Sequence, residues 1–290
     1  MPRNLVAQTA FGPMVLAAVE QNEPPGHRFV DDDLAELFLP AGLRLLVRAT
    51  RWGPARRLMI RGSEFTGPGL WANLACRKHF IDDKLKAALD DIDAVVVLGA
   101  GLDTRAYRLT RQVRIPVFEV DLPANIAMKA KTVRRVLGEA PLSVRLVALD
   151  FERDDLLTAL AEHGYHTDYR AFFICEGVTQ YLTEAGVRRT LEGLRAAAPG
   201  SRLVFTYVRR NFIDGTNRYG TRTLYRKVRQ RQQLWHFGLE PDDVADFIAE
   251  YGWRLVEQAG PDELVARYVE PTGRKLKASQ LEWSAFAEKI

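Results

Sequence analysis

Apolar residues are concentrated in six short runs between positions 92 and 258 of the 290-residue chain. The runs lie at 92–98, 115–120, 144–149, 171–175, 202–208 and 253–258. Most of them are rich in valine, isoleucine and phenylalanine, as is typical of strands buried on both faces of a parallel sheet. Segments of helical length lie between the runs, at about 123–137, 153–163 and 184–198. Strands that alternate with helices predict a doubly wound, mostly parallel, Rossmann-like α/β sheet with helices on both faces.

The rest of the chain is predicted to add helices to a single domain. The apolar start of the chain is similar to a signal peptide, but Gly12-Pro13 interrupts it, and we interpret it as an amphipathic helix. Residues 209–250 are polar and too long for an ordinary connection, which favours a helical cap in two pieces between the fifth and sixth strands. The tail at 281–289 fits either a strand or a helix. The predicted parts are therefore N-terminal helices (1–90), a core (91–208), the cap (209–250) and C-terminal strands (251–290).

The composition is that of an ordinary globular protein, with 47% hydrophobic and 27% charged residues. No stretch approaches the roughly 20 apolar residues that span a bilayer, so we expect no membrane partner. The two cysteines, Cys76 and Cys175, have no paired spacing and suggest neither a disulfide framework nor a zinc site. We expect a cytoplasmic protein without a bound metal.

Positive charge is concentrated in the predicted cap. The chain has a net charge of +4, but residues 209–231 carry eight basic side chains against Asp214 alone. A local excess of this kind favours an acidic ligand over a nucleic acid that coats the protein. On a regular helix, Arg218, Arg222, Arg226 and Arg229 would form one stripe. The stripe is either a solvated surface or a set of residues that grips an acidic substrate, and Arg218, Arg222 and Arg226 are our candidates for that contact.

The first candidate site is the glycine turn after the first strand, Gly99-Ala100-Gly101. Open α/β sheets bind ligands at the carboxyl ends of their strands, and glycines let the backbone approach a ligand closely. Thr104 stands where a dinucleotide-binding fingerprint has its third glycine. This turn would therefore bind a diphosphate less well than a nucleoside with a short tail. A tight strand–helix turn without a ligand is the structural alternative.

Acidic residues also end the next two strands. Asp121 follows the glycines by about 20 residues, the position from which a carboxylate accepts hydrogen bonds from the ribose of an adenosine cofactor. Glu119 points to the same side of the strand, but Asp121 lies nearer its end. Asp150 and Phe151 follow the third strand and are suited to hold adenine. For Asp121 and Asp150, an N-cap of the following helix is the alternative role.

Glu176 follows the fourth apolar run directly. A carboxylate in this place must be solvated by a cleft or paired with a cation, because burying an isolated charge is costly. Four consecutive strand ends then carry suitable groups, which is a more specific pattern than any one of them. Together they predict a site for an adenosine with a short amino-acid tail.

Four segments of the chain resemble the leucine carboxyl methyltransferase family of class I S-adenosylmethionine-dependent enzymes. They are VVVLGAGLDTRAYRL (95–109), FEVDLP (118–123), ALDF (148–151) and FFICEGVTQYLT (172–183). RFVDDDLA (28–35) and RKHFIDD (77–83) extend the resemblance, which covers most of residues 28–208. It implies a methyltransferase that takes S-adenosylmethionine as cofactor and releases S-adenosylhomocysteine.

The resemblance also implies roles for individual residues. Those implied to contact the cofactor are Arg77, Gly99, Ala100, Gly101, Asp121, Asp150, Phe151 and Glu176. Among them, Arg77 would bind the carboxylate of the methionine part, and Glu176 would lie near its amino group. Tyr181 matches a tyrosine that faces the acceptor and is the catalytic candidate. The family often has Arg-Thr-Arg where this chain has Arg77-Lys78-His79, so the hydrogen bonds around Arg77 are expected to differ.

Methyl transfer from a sulfonium is an in-line displacement, in which the protein aligns and desolvates the nucleophile. A carboxylate acceptor needs no general base, whereas a hydroxyl does, and no histidine–aspartate pair follows the strands. We therefore expect a small acidic acceptor that is methylated on a carboxylate or hydroxyl oxygen. The alternatives are a nicotinamide (NAD-type) oxidoreductase, a cofactor-binding module without activity, and an RNA or protein methyltransferase that uses the basic cap. Nucleic acid is the less expected partner.

Overall fold

The computed structural model describes residues 10–290, apart from the side chain of Thr66. In that part of the chain, seven strands form one sheet in the order β3-β2-β1-β4-β5-β7-β6. The strands are β1 (Ala94–Leu98), β2 (Val117–Asp121), β3 (Val144–Ala148), β4 (Ala171–Cys175), β5 (Arg202–Val208), β6 (Trp253–Ala259) and β7 (Glu282–Lys289). Strands β1 to β5 pair in parallel, whereas β7 pairs antiparallel with β5 and β6. The predicted doubly wound, mostly parallel sheet is confirmed.

The central strand β1 shows why the apolar runs are continuous rather than alternating. Val95 and Val97 pack into the hydrophobic cluster that contains the N-terminal helices. Val96 and Leu98 pack into the cluster on the opposite face. A parallel strand covered on both faces has no position for a polar side chain, so every residue of β1 is buried.

The tail forms a strand, which decides between the two predictions made for it. Strand β7 lies between β5 and β6, with Val204 opposite Phe286 and Leu255 opposite Ala287. Because β7 is inserted there, β6 is not a neighbour of β5, and the amino end of β7 comes to the same edge of the sheet as the carboxyl end of β5. This position brings Glu282, the first residue of β7, next to the strand tips.

Helices cover both faces of the sheet. Those before β1 are α1 (Phe11–Glu20), α2 (Ala35–Phe38), α3 (Ala41–Ala49), α4 (Gly53–Thr66) and α5 (Leu70–Ala88). Those between the parallel strands are α6 (Arg105–Leu109), α7 (Pro123–Leu137), α8 (Leu156–Glu162) and α9 (Glu184–Gly193). The predicted N-terminal helix is present as α1, and residues 1–9 of that prediction lie outside the described residues. Helix α7 agrees with the predicted 123–137, whereas α8 begins three residues later than predicted.

The cap between β5 and β6 contains less helix than predicted. Its helical turns are α10 (Arg210–Ile213), α11 (Arg222–Tyr225), a π-helix (Arg226–Arg231), a 3₁₀ turn (Pro241–Asp243) and α12 (Val244–Ala249). The prediction of a cap that is helical in two pieces is therefore wrong in its first half, where loops divide the helix into short segments. A hydrophobic cluster of Val208, Phe212, Ile213, Val228, Trp235 and Leu281 fixes this half to β5 and the tail. A further short helix, α13 (Pro261–Leu264), connects β6 to β7 through a π-helix, Val265–Val269.

Candidate active site

A cavity of about 520 Å³ lies at the carboxyl ends of β1 to β4. This volume falls within the roughly 300–1,000 Å³ typical of small-molecule sites. Strand tips form one wall, and α1, α5, the cap and the start of β7 form the others. Every residue predicted to contact the cofactor lines this cavity, and so does the catalytic candidate: Arg77, Gly99, Ala100, Gly101, Asp121, Asp150, Phe151, Glu176 and Tyr181. Groups that are far apart in sequence are thus brought together as predicted.

The glycine turn after β1 requires both of its glycines. Gly99 has a φ of +67°, and a Cβ atom there would come within 2.2 Å of Val178. Gly101 has a φ of +44°, in the left-handed region that other residues rarely adopt. The turn therefore places bare backbone against the cavity, because a side chain at Gly99 would clash with Val178.

Asp121 ties this turn to the start of α7. Its Oδ2 accepts a hydrogen bond from the Gly101 N–H at 2.6 Å, and its Oδ1 accepts one from Asn125 Nδ2 at 2.7 Å. The residue that precedes α7 is Leu122, so Asp121 does not occupy the N-cap position that was the alternative. Glu119 on the same strand is fully buried and does not line the cavity. Asp121 is thus the carboxylate of β2 that reaches the cavity.

Asp150 and Phe151 form the cavity wall after β3. Helix α8 is capped by Asp155, whose Oδ1 accepts the Thr158 N–H at 2.7 Å. The N-cap role considered for Asp150 is therefore wrong, because the helix begins later and has its own cap. Asp150 remains partly exposed at the cavity, with 35% of its side chain accessible.

Glu176 after β4 is buried among three cations. Its carboxylate accepts hydrogen bonds from Arg77 Nε at 3.0 Å and Arg105 Nη1 at 2.6 Å, and Lys78 Nζ lies 3.5 Å away. Burial by itself would raise the pKa of this carboxyl, but Lys78, Arg105 and Arg77 lower the pKa to about 2. Of the two environments predicted for a carboxylate here, the structure shows pairing with cations. Glu176 therefore stays ionised at neutral pH.

Arg77 occupies the centre of this charge cluster. Its Nη1 donates hydrogen bonds to both carboxylate oxygens of Glu282 at 2.6 Å. Next to it in sequence, Lys78 lines the cavity, whereas His79 stacks on the ring of Tyr268 with 4.5 Å between the ring centroids. The departure from Arg-Thr-Arg thus adds a second cation to the cavity wall beside Arg77.

Sequence reasoning missed several residues in and around the cavity. They are Lys78, Asp103, Arg105, Asn125 and Glu282. Asp103 and Arg105 belong to the motif at 95–109, and this membership could have identified them as site residues. Asn125 stands four residues after Asp121, in the first turn of α7. Glu282 gave no signal, because its position depends on the order of the strands in the sheet.

The cap closes the cavity with an aromatic and a basic side chain. Trp235 packs edge-to-face against Tyr181, with 6.2 Å between ring centroids and an interplanar angle of 87°. Both rings line the cavity, as does Lys227 of the π-helix. The side chain of Lys227 has no hydrogen bond or ion pair with any residue in the described part of the chain. It is therefore the cationic group of the cap that is available to a ligand in the cavity.

The predicted arginine stripe is not presented by one regular helix. Arg218 lies in a loop before α11, and Arg229 donates to a backbone carbonyl oxygen at 3.0 Å. Arg222 and Arg226 are exposed, and none of these four arginines lines the cavity. The prediction assumed a continuous α-helix, whereas the chain becomes helical only at Arg222 and widens into a π-helix at Arg226.

Comparison with known proteins identifies the family. The sequence profile described as Leucine carboxyl methyltransferase matches residues 10–195. A Mycobacterium tuberculosis protein named "Putative S-adenosyl-L-methionine-dependent methyltransferase" is 30% identical over 258 residues, covering 84% of this chain and 82% of that protein. A Mycobacterium avium protein with the same name is 32% identical over 207 residues, covering 68% and 67%. The chain belongs to the leucine carboxyl methyltransferase family.

A solved structure supports the fold of this methyltransferase. The crystal structure of a "putative methyltransferase" from Thermobifida fusca aligns with a TM-score of 0.59 at 20% identity. The alignment covers 81% of this chain and 88% of that one. Family membership confirms the resemblance seen in the sequence and, with it, S-adenosylmethionine as the cofactor.

The residues around the cavity of the methyltransferase fit this cofactor. An amino-acid tail carries a carboxylate and an ammonium group, and the end of the cavity at Arg77 presents both cations and carboxylates. At the other end, Asp121 and the backbone of the glycine turn suit a ribose. Asn125 lines the cavity beside Asp121, and its Oδ1 is buried without a hydrogen-bond partner in the described part of the chain. An orphaned acceptor of this kind marks a place where a ligand donor is missing.

Proposed function

We propose that this methyltransferase transfers the methyl group to a carboxylate or hydroxyl oxygen of a small acidic molecule. The observation that carries the proposal is Lys227, a cation of the cap without a partner in the described residues, on the wall of the same cavity. An acidic acceptor would supply the missing anion. The Arg77 cluster is assigned to the amino-acid tail of the cofactor, so Lys227 is the better candidate for recognising the acceptor.

The protein's own contribution to this reaction is alignment and desolvation. Bound S-adenosylmethionine supplies an electrophilic methyl group on a sulfonium. Asp121 would hold the ribose, and Arg77 and Glu176 would hold the two charges of the amino-acid tail. Tyr181 and Trp235 would exclude water from the acceptor and orient its oxygen for in-line attack.

The lining of the cavity favours a carboxylate acceptor over a hydroxyl. A carboxylate is already an anion at neutral pH, whereas a hydroxyl requires a general base. The described residues that line the cavity include no histidine. Membership of the family, meanwhile, sets aside the oxidoreductase alternative. Arg222 and Arg226 do not line the small-molecule cavity, so they are not candidates for contacting the acceptor there.

The chemistry of the product tests this proposal directly. The protein is incubated with S-adenosylmethionine labelled in its methyl group and a panel of small carboxylic acids, phenols and alcohols. We expect label in a product that mild alkali hydrolyses to methanol, as a methyl ester requires; an alkali-stable ether would identify a hydroxyl acceptor instead. Label that enters RNA or protein, and no small molecule, would contradict the proposal.

Replacing Lys227 with glutamine is expected to raise KM for the acidic acceptor by about tenfold or more. A hydrogen bond to a charged group contributes about 1.5–3 kcal/mol, and tenfold corresponds to about 1.4 kcal/mol. The affinity for S-adenosylhomocysteine should stay the same, because Lys227 lies on the cap wall. The matched control is the double variant Arg222→Gln/Arg226→Gln, which should leave KM unchanged. Equal effects of the two variants on KM would show that only the overall charge of the cap matters.

A further inference from the structure

Helices α3 and α4 expose large apolar side chains to solvent. Ten large hydrophobic residues are exposed in the described part of the chain, and five of them lie within residues 41–66. The exposed fractions are 67% for Leu45, 47% for Leu46, 69% for Trp52, 73% for Leu58 and 89% for Phe65. Surface hydrophobic residues are ordinary when scattered singly, but a concentration in one segment indicates an interaction site.

The spacing of these residues places them on outer helix faces. The exposed residues of α3 recur at helical spacing. They include Gly42, Leu45, Leu46 and Ala49. The exposed positions of α4 include 57, 58, 61, 62 and 65 in the same pattern. Val47 and Ile60 are buried on the inner faces, so the core already holds both helices in place. The outer apolar face of α3 therefore does not contribute to packing the helix against the core.

The same segment is strongly basic. Residues 41–66 contain six arginines and one acidic residue, Glu64. Arg48 and Arg51 pair with Glu36, and Arg56 pairs with Glu23. Arg44, Arg57 and Arg61 have no ion-pair partner among the described residues. The segment that exposes leucine, tryptophan and phenylalanine side chains thus also carries three arginines without an ion-pair partner among the described residues.

We propose that the α3–α4 segment, residues 41–66, binds the surface of membranes that contain anionic phospholipids. Amphipathic helices bind in the membrane interface through apolar side chains, while their arginines contact anionic headgroups. Trp52 suits this position, because tryptophan is enriched at membrane–water interfaces. In this mode the two helices lie parallel to the membrane surface. Among residues 10–290, no helix is long and apolar enough to cross a bilayer. The sequence analysis expected no membrane partner because no stretch of the chain is apolar enough to span a bilayer. The lack of such a stretch does not test for binding at the membrane surface.

Charge also argues against a second copy of the chain as the occupant. A two-fold symmetric dimer through this segment would place the same patch on both sides of the interface. The unpaired arginines Arg44, Arg57 and Arg61 of both copies would then be brought together in one interface. Like charges in an interface are unfavourable, whereas anionic headgroups provide the opposite charge.

Sedimentation with lipid vesicles tests the proposal on the full chain. We expect the protein to bind vesicles of phosphatidylglycerol mixed with phosphatidylcholine at 0.15 M salt, and not vesicles of phosphatidylcholine alone. The double variant Leu58→Ser/Phe65→Ser should lower the vesicle affinity by about tenfold or more, because each side chain would lose the transfer of its apolar surface out of water. Since both residues are exposed, the variant should keep its melting temperature and its affinity for S-adenosylhomocysteine.

Two matched controls separate this surface from other parts of the protein. Leu142→Ser changes a leucine that is 89% exposed outside the segment, and it should bind vesicles like the wild type. Arg222→Gln/Arg226→Gln, in the basic cap, should do the same. Absence of binding to the anionic vesicles would overturn the proposal, as would a loss of binding in the cap variant but not in Leu58→Ser/Phe65→Ser. If the protein were a dimer in solution and Leu58→Ser/Phe65→Ser dissociated it, the segment would instead be the contact with a second copy of the chain.

Discussion

Replacing Asp121 with asparagine is expected to weaken the binding of S-adenosylhomocysteine by about 100-fold, or about 2.7 kcal/mol. In the proposed binding mode the carboxylate of Asp121 accepts hydrogen bonds from both ribose hydroxyls, and each charge-assisted hydrogen bond contributes about 1.5–3 kcal/mol. The substitution also weakens the bond from the Gly101 N–H to Oδ2, which is 2.6 Å long and fixes the glycine turn. Both effects reduce affinity, and both act at the cofactor end of the cavity.

Isothermal titration calorimetry measures this loss, and thermal melting followed by circular dichroism shows whether the variant is folded. The control is Asp246→Asn, which removes the charge of an exposed aspartate on α12, away from the cavity lining. It should bind S-adenosylhomocysteine like the wild type. An unchanged dissociation constant in a folded Asp121→Asn variant would place the cofactor elsewhere, and the roles proposed for the neighbouring strand ends would lose their basis.

The strands and the cofactor wall were predictable because local signals determine them. A strand buried on both faces must be apolar throughout, so runs such as the one containing β1 stand out in the sequence. The sheet is parallel, so the ends of β1 to β4 meet at one edge, and residues that follow these strands must lie close together. This is why Asp121, Asp150 and Glu176, separated by dozens of residues, were assigned to one site.

The remaining parts of the site depend on tertiary packing. The tail sequence fits a strand or a helix equally well, and nothing local places β7 between β5 and β6. Glu282, the partner of Arg77, was therefore beyond sequence reasoning. The cap shows a second limit. A helical projection with regular spacing selected Arg222 and Arg226, whereas the π-helix changes the spacing and presents Lys227 to the cavity instead.

A buried ion pair beneath the glycine turn is a further feature that the sequence did not reveal. Glu119 and Lys129 form an ion pair with side chains that are 0% and 1% exposed. The Tyr107 hydroxyl donates to Glu119 at 2.7 Å, and Lys129 Nζ donates to the carbonyl oxygen of Ala100 at 3.2 Å. Sequence reasoning considered Glu119 only as a less suitable neighbour of Asp121. Its position shows that it supports the turn from below rather than lining the cavity.

Replacing Lys129 with methionine is therefore expected to lower the free energy of unfolding by about 3–5 kcal/mol at pH 8, because Glu119 is left buried without a cation. Burial raises the pKa of the Glu119 carboxyl above its ordinary value, and Lys129 and Tyr107 offset that rise only in part. Loss of Lys129 should raise the pKa of this carboxyl further, because the lysine is one of the groups that lower it. A carboxyl whose pKa is higher in the folded than in the unfolded protein destabilises the fold increasingly as the pH rises above its unfolded pKa. The loss of unfolding free energy in the variant should therefore be smaller at pH 5 than at pH 8.

Urea unfolding at the two pH values measures this effect, with Lys131→Met as the matched control. Lys131 lies on the same helix but is exposed, and its replacement should change the stability by less than about 0.5 kcal/mol. The double variant Glu119→Gln/Lys129→Met removes both charges and should recover most of the lost stability at pH 8. It still lacks the hydrogen bond to Ala100, so its affinity for S-adenosylhomocysteine should remain below that of the wild type. If Lys129→Met and Lys131→Met were equally mild at pH 8, the ion pair would not support the turn, and the rigidity of the glycine turn would have to come from Asp121 alone.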